Sequence, residues 1–292
     1  MKRLGIFLFL IVVLAACGGV NGQDGGEEDQ EKNKEQTNQE ADEKKDSAKE
    51  EKEENKAEKE EKEEKSEKSE EAAGEASPEE PKEAQYQITG NWSFEPINDA
   101  DSKVALLTID DAPDEYGVEM AETLKAADAP AIFFVNGHFI DSEEGKEKLK
   151  KIHEMGFPIG NHTMTHASLT DLSQEEQKEE IVGLNDKIEE ITGERPKFFR
   201  APFGQNTDYS KQLAAEEKML LMNWTYGYDW NEEYMDADNL ADIMVNTELL
   251  GNGANLLMHD REWTKEALDD IVKGLRSKGY DLLDPAVIKT PK

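Results

Sequence analysis

The sequence predicts an α/β fold, a deformed (β/α) barrel of about seven parallel strands, preceded by a disordered linker. Three observations carry this reading. From Val104 onward, apolar runs alternate with helix-period segments six or seven times, the pattern of parallel strands with helices outside. The run Ala131-Ile132-Phe133-Phe134-Val135 has no polar break, as expected of a strand covered on both faces. Polar residues able to do chemistry fall just after the strands, where barrels place their sites.

Ahead of the barrel the composition is different. The 292 residues carry a formal charge of −33, unevenly spread. Met1-Lys2-Arg3 and the apolar residues 4–16 read as an export signal, too short for a comfortable membrane span. It runs into Leu14-Ala15-Ala16-Cys17, in the form of a lipobox ending on the chain's only cysteine. Residues 1–16 are expected to be removed and Cys17 to carry lipid, which anchors the protein to a membrane. A lone cysteine permits no intrachain disulfide. Residues 17–84 form the expected tether. Between 21 and 83 there are 26 acidic residues and 12 lysines, and such a segment cannot bury enough apolar surface to order itself. Glu and Lys recur at i,i+4, so transient helix is compatible with it. Residues 85–292 remain for one sizeable core. Their 41 acidic and 20 basic residues argue against nucleic acid as a partner.

Within that domain residues 104–109 read as a buried strand and 118–127 as a helix with Val118, Ala121 and Leu124 on one face. Pro130 opens the strand 131–135. Residues 145–155 are helical and stop at Gly156. A short strand, 157–160, leads into Asn161-His162-Thr163-Met164-Thr165-His166. Ser173-Gln174-Glu175-Glu176 has the form of a capping box and opens a helix through Ile181, Leu184, Ile188 and Ile191 to Gly193. Strands follow at 197–200, 219–224, 254–258 and 281–283, with helices at 210–217, 238–250 and 264–277. Asp110 and Asp111 close the first strand, and His162 and His166 follow the third. Arg200 ends the fourth, Asp229 and Trp230 follow the fifth, and His259 and Asp260 follow the sixth.

His162 and His166 are four residues apart, which on one turn of helix sets both rings on the same face. Two imidazoles and one carboxylate make three ligands, the usual count for a catalytic zinc that keeps a position open for water. One aspartate of the Asp110-Asp111 pair would complete that set, and the other would be free to act as a base.

Together these stretches resemble the polysaccharide deacetylases, the NodB-homology or carbohydrate esterase family 4 group, over roughly residues 103–284. Thr108-Ile109-Asp110-Asp111-Ala112-Pro113, His162-Thr163-Met164-Thr165-His166, Arg200-Ala201-Pro202-Phe203-Gly204, Asp229-Trp230 and Leu257-Met258-His259 follow the family's motifs in order. The resemblance implies a NodB-type barrel. It also implies a divalent metal on Asp111, His162 and His166, most often zinc, with cobalt or another divalent ion as alternatives. It assigns Asp110 as general base, oriented by Arg200, and His259 as general acid, paired with Asp229. Trp230 and Leu257 would line a slot for the acetyl methyl, and the Phe203 backbone N–H would help hold the oxyanion. The implied activity is removal of N-acetyl groups from an envelope glycan, peptidoglycan first, by a lipid-anchored monomer facing the wall. The competing expectation is a wall-binding lipoprotein with little or no turnover. Three departures stand out. Ala112 replaces the family's usual Gly, Ile109 replaces Phe, and Gly227 occupies a place where many members carry a further aspartate. The spacing there is one residue short, which bears on whether Asp229 reaches His259.

Overall fold

The computed structural model describes residues 82–292. The export signal, Cys17 and nearly all of the tether lie outside the described residues. No helix among the described residues is long and apolar enough to cross a membrane.

The chain first makes an antiparallel hairpin, β1 (Tyr86–Ile88) and β2 (Phe94–Pro96). The central strand β3 (Val104–Ala112) follows, then helix α1 (Gly117–Ala126), β4 (Ala131–Val135), α2 (Glu143–Glu154) and β5 (Ile159–Asn161). A helical stretch comes next, α3 (Gln174–Lys178), a π-helical segment (Glu179–Gly183) and α4 (Leu184–Thr192). It opens on the Ser173/Glu176 capping box and closes at Gly193 with φ 80°, as its sequence predicts. The remaining elements are β6 (Phe198–Phe199), α5 (Asp208–Glu216), β7 (Leu220–Leu221), α6 (Ala237–Asn246), β8 (Ala254–His259), α7 (Glu262–Ser277) and β9 (Asp281–Leu282).

Seven strands form one parallel sheet in the order β7-β6-β5-β4-β3-β8, with β9 paired to the start of β3. This is the curled, helix-covered sheet that the strand-helix alternation predicts. Strand alternation sorts its side chains onto two faces. Ala105, Leu107, Ile109, Phe133 and Val135 pack with the buried residues of α1, α2 and α7. Leu106, Ile132, Phe134, Phe198 and Met222 turn to the other face. Both faces are therefore buried, which is why these strands read as unbroken apolar runs.

Among the described residues the curl closes through a single parallel bridge, Tyr226 to Leu256, rather than through a strand. The sequence predicts a strand over 219–224, but only Leu220–Leu221 pairs. The Asn223 carbonyl accepts from the Arg200 guanidinium and from the Asn255 side chain. Its backbone thus serves interior side chains instead of a ladder.

The hairpin has no counterpart in the sequence reading, because three-residue strands carry too little periodicity. It seals the inner face. Tyr86 and Phe94 are buried with Leu106, Ile132 and Phe134, and the Phe94 N–H donates to the Gly253 carbonyl at 2.8 Å. Gly253 has φ 72°, and a Cβ there would lie 1.8 Å from the Phe94 carbonyl oxygen, so glycine is required. Phe94→Ala is expected to destabilise the domain by about 3–5 kcal/mol. Urea denaturation checks this, and a loss below about 1 kcal/mol would mean that the hairpin is peripheral.

Candidate active site

In a regular strand Asp110 and Asp111 would point to opposite faces. The β3–β4 register shifts between Ile109 and Ala112, and Asp111 has φ 59°. This bulge re-aims Asp111 toward the side that Asp110 faces, and aspartate tolerates the left-handed region better than most residues. Both carboxylates then reach the histidines. Asp110 Oδ2 lies 3.5 Å from His162 Nε2. Asp111 Oδ1 lies 3.9 Å from His162 Nε2 and 3.6 Å from His166 Nε2.

The histidines meet the aspartates on a loop after β5, not on the helical turn that their spacing suggests. Thr163 (φ 71°) and His166 (φ 61°) are left-handed, which no helix allows. The two rings still pack edge to face, 4.9 Å apart. The His162 Nδ1–H donates to the Arg200 carbonyl at 2.7 Å, so the Nε2 lone pair faces the carboxylates. Asp111, His162 and His166 each present one donor atom, all within 4.8 Å of one another. One oxygen and two imidazole nitrogens suit a divalent ion such as zinc. Burial, then the neighbouring His162, pushes the His166 pKa down against the aspartates, favouring the neutral imidazole that ligates metal. Burial pushes Asp111 up, but His259, His162, His166 and Arg261 outweigh it and leave its pKa below the usual carboxylate range.

Arg200 follows β6 and is fully buried. Its guanidinium carbon sits 4.3 Å from the centre of the Phe134 ring. Nη1 donates to Asp110 Oδ1 at 2.6 Å and to Thr108 Oγ1 at 2.8 Å. One oxygen of Asp110 is thereby fixed, and the other is left toward His162. Burial lowers the Arg200 pKa, and the Asp110 carboxylate opposes that.

His259 ends β8, and Asp229 reaches it despite the short spacing. Asp229 Oδ1 lies 2.8 Å from His259 Nδ1, and Oδ2 accepts from the His259 backbone N–H and the Thr264 hydroxyl. The Trp263 indole N–H donates to the Asp229 carbonyl at 2.8 Å, which makes Trp263 a strut for this segment. Burial alone would lower the His259 pKa, but the hydrogen bond and charge of Asp229, with the charges of Asp110 and Asp111, raise it above the usual histidine value.

Two aromatic rings flank the centre. Phe203, 62% exposed with φ 57°, packs edge-on to His166 at 4.9 Å. Trp230, 44% exposed, stands nearly perpendicular to His259 at 5.5 Å. Leu257 is buried in β8.

The two sequence departures nearest the centre are accommodated. Ala112 is not among the residues with positive φ, and its methyl is buried in the helix-side core. At Gly227 a Cβ would lie 2.4 Å from the Leu257 carbonyl oxygen and 2.8 Å from the Trp230 ring. An aspartate has no room there. Gly227→Ala is expected to displace Trp230, and the loss of Trp230 fluorescence change on glycan addition measures it. An unchanged response would show that the contact yields easily.

Three further residues serve this centre: Asp260, placed by the sequence just after the sixth strand without a role, and Arg261 and Glu180, which the sequence did not single out. Arg261 Nη2 donates to Asp111 Oδ2 at 2.8 Å. The buried Asp260 carboxylate accepts the N–H groups of Asp114 and Tyr116, holding the turn after Asp111, and burial pushes its pKa up to about 6. Glu180 accepts from the backbone N–H and hydroxyl of Thr165. Arg261 could have been found by its place just past a strand end. Glu180 carried no such signal.

Residues 97–221 match the family model for polysaccharide deacetylase. The chain is 28% identical over 208 residues to a peptidoglycan-N-acetylglucosamine deacetylase of Bacillus cereus, covering 68% of this chain and 71% of that one. The solved structure of the peptidoglycan deacetylase PdaC from Bacillus subtilis superposes with a TM-score of 0.57 at 31% identity, over 64% of this chain and 91% of that one. A CE4 family pseudoenzyme from Bacillus anthracis superposes with a TM-score of 0.58 at 29% identity, over 64% and 66% of the two chains.

Proposed function

We propose, for a chain that belongs to the polysaccharide deacetylase family, hydrolysis of N-acetyl groups on cell-envelope glycan, with peptidoglycan N-acetylglucosamine or N-acetylmuramic acid as substrate. One observation carries the proposal. Asp110, the Asp111/His162/His166 donor set and the Asp229–His259 pair converge at the same end of one sheet. The Bacillus cereus and Bacillus subtilis relatives, which are peptidoglycan deacetylases, support the substrate class.

Asp111, His162 and His166 would hold a divalent ion, zinc first and cobalt or another as alternatives. When bound, such an ion supplies an activated water and polarises the acetyl carbonyl. Asp110 Oδ2 takes the proton of the attacking water, while Arg200 keeps Oδ1 fixed. The Phe203 N–H stands in the first turn of a short 3-10 segment, where backbone donors lack intrahelical partners, and helps hold the oxyanion. With Nδ1 on Asp229, His259 has Nε2–H free to protonate the leaving amine as the C–N bond breaks. Acetate and a free amino sugar result. Trp230 and Leu257 line the slot for the methyl group. The export signal, lipid on Cys17 and the acidic tether would hold a monomer outside the membrane, facing the wall.

The test is acetate release from N-acetylglucosamine oligomers and from whole peptidoglycan. The proposal expects release by the wild type and none by His162→Ala. Equal release by the two would overturn it. A second reading, glycan binding without turnover, is favoured by one finding, the similar fold of the Bacillus anthracis pseudoenzyme. Equal glycan binding by wild type and Asp110→Asn, with no acetate from either, would decide for that reading.

A further inference from the structure

The two histidines of the donor set are held in different ways. His162 is fixed through its ring by the Arg200 carbonyl and through its backbone, whose carbonyl accepts from the Asn136 side chain at 2.5 Å. His166 has no protein partner on Nδ1 among the described residues, is 27% exposed at its side chain, and sits on left-handed backbone with φ 61°. Its ring only leans on His162 and Phe203. Its place must therefore be set by the backbone that leads into it.

That backbone rests mainly on Glu180, while the Met164 carbonyl also accepts from the His138 N–H at 2.8 Å. The Met164 N–H donates to the Glu180 carbonyl at 2.9 Å. The Thr165 N–H donates to Glu180 Oε2 at 2.8 Å, and the Thr165 hydroxyl to Oε1 at 2.6 Å. Three of the four hydrogen bonds on the two residues before His166 thus go to Glu180, two of them to its carboxylate. Glu180 is 9% exposed and lies in the π-helical segment Glu179–Gly183. Such segments interrupt the regular i→i−4 ladder and recur at functional sites. Here the neighbouring Ile181 carbonyl is also turned outward and accepts from Asn161, the residue before His162. The π turn thus holds Asn161, Met164 and Thr165 of this loop.

We propose that Glu180 is a positioning residue for the metal centre, acting on His166 through Thr165. The proposal rests on the reading that Asp111, His162 and His166 bind a divalent ion. Removing it would leave Asp111 and His162 in place and let His166 drift, so affinity falls and coordination changes.

The experiment measures the dissociation constant of the full chain for Zn2+ by competition with a chromophoric chelator, and the visible absorption of the Co2+ form. Glu180→Ala is expected to weaken Zn2+ binding about 10–100-fold, the usual effect of removing support from a ligand, and to lower the intensity of the Co2+ bands. Glu180→Gln keeps an acceptor for the Thr165 N–H and is expected to recover part of the loss. Thr165 is exposed, so Thr165→Ala removes the hydroxyl arm without threatening the core, and it is expected to weaken binding several-fold. If Glu180→Ala fails to fold, Thr165→Ala and Glu180→Gln decide. Wild-type affinity and Co2+ spectrum in the folded variants would overturn the proposal. A wild type that binds no stoichiometric metal would instead overturn the metal reading beneath it.

Discussion

Asp110→Asn is expected to lower acetate release by about 10²–10⁴-fold, the range that a positioned proton acceptor contributes, while the protein still takes up metal. Asparagine has nearly the same shape, and its carbonyl oxygen can still accept from Arg200 Nη1. The amide nitrogen then occupies the place of Oδ2, 3.5 Å from His162 Nε2. Its lone pair is delocalised into the amide carbonyl and cannot take the proton of water. The substitution has a second effect. Arg200 is fully buried, and Asp110 is its only carboxylate partner among the described residues. Removing one partner of a buried pair destabilises by about 3–5 kcal/mol, less where a hydrogen bond survives. Activity must therefore be measured below the lowered unfolding transition, with zinc content determined on the same sample. Release within tenfold of wild type would remove Asp110 from the proton transfer.

His259→Ala is expected to lower amide hydrolysis by a similar factor of about 10²–10⁴. On an acetate ester with a good leaving group the loss should be far smaller, because that oxygen departs without a proton. Equal losses on both substrates would point to a structural role. Asp229 gives the pH signature. Burial pulls the His259 pKa down, and the hydrogen bond and charge of Asp229, aided by the charges of Asp110 and Asp111, more than reverse this. The protonated acid therefore persists to higher pH than an ordinary histidine would allow. In Asp229→Asn the strongest raising partner is gone, so the alkaline limb of the kcat/KM profile moves to lower pH. A limb that stays put or moves up would dissociate Asp229 from the acid.

The strands were legible in the sequence wherever both faces are covered. Ala131–Val135 and the start of β3 are apolar throughout because helices pack on one side and the hairpin and interior on the other. The polar residues at strand ends were legible for the same reason, since each ends a run that water cannot reach. What could not be read was backbone conformation. The spacing of His162 and His166 fits a helical turn, and nothing in Thr163 announces a left-handed φ. The bulge that turns Asp111 beside Asp110 is equally silent, although two adjacent aspartates invite it. The sequence predicts one regular helix that opens at Ser173 and ends at Gly193. The π segment within it, and with it the reach of Glu180, depends on contacts with a loop some 15 residues earlier.

Metal occupancy against acetate release, titrated on one preparation of the full chain, tests the central claim most directly. The chain is stripped with chelator, Zn2+ is added back stepwise, and release from acetylated peptidoglycan is followed at each step. The arrangement of Asp111, His162 and His166 predicts no release from the stripped protein and a linear rise that ends at one equivalent. Full release from protein shown to be free of metal would contradict it.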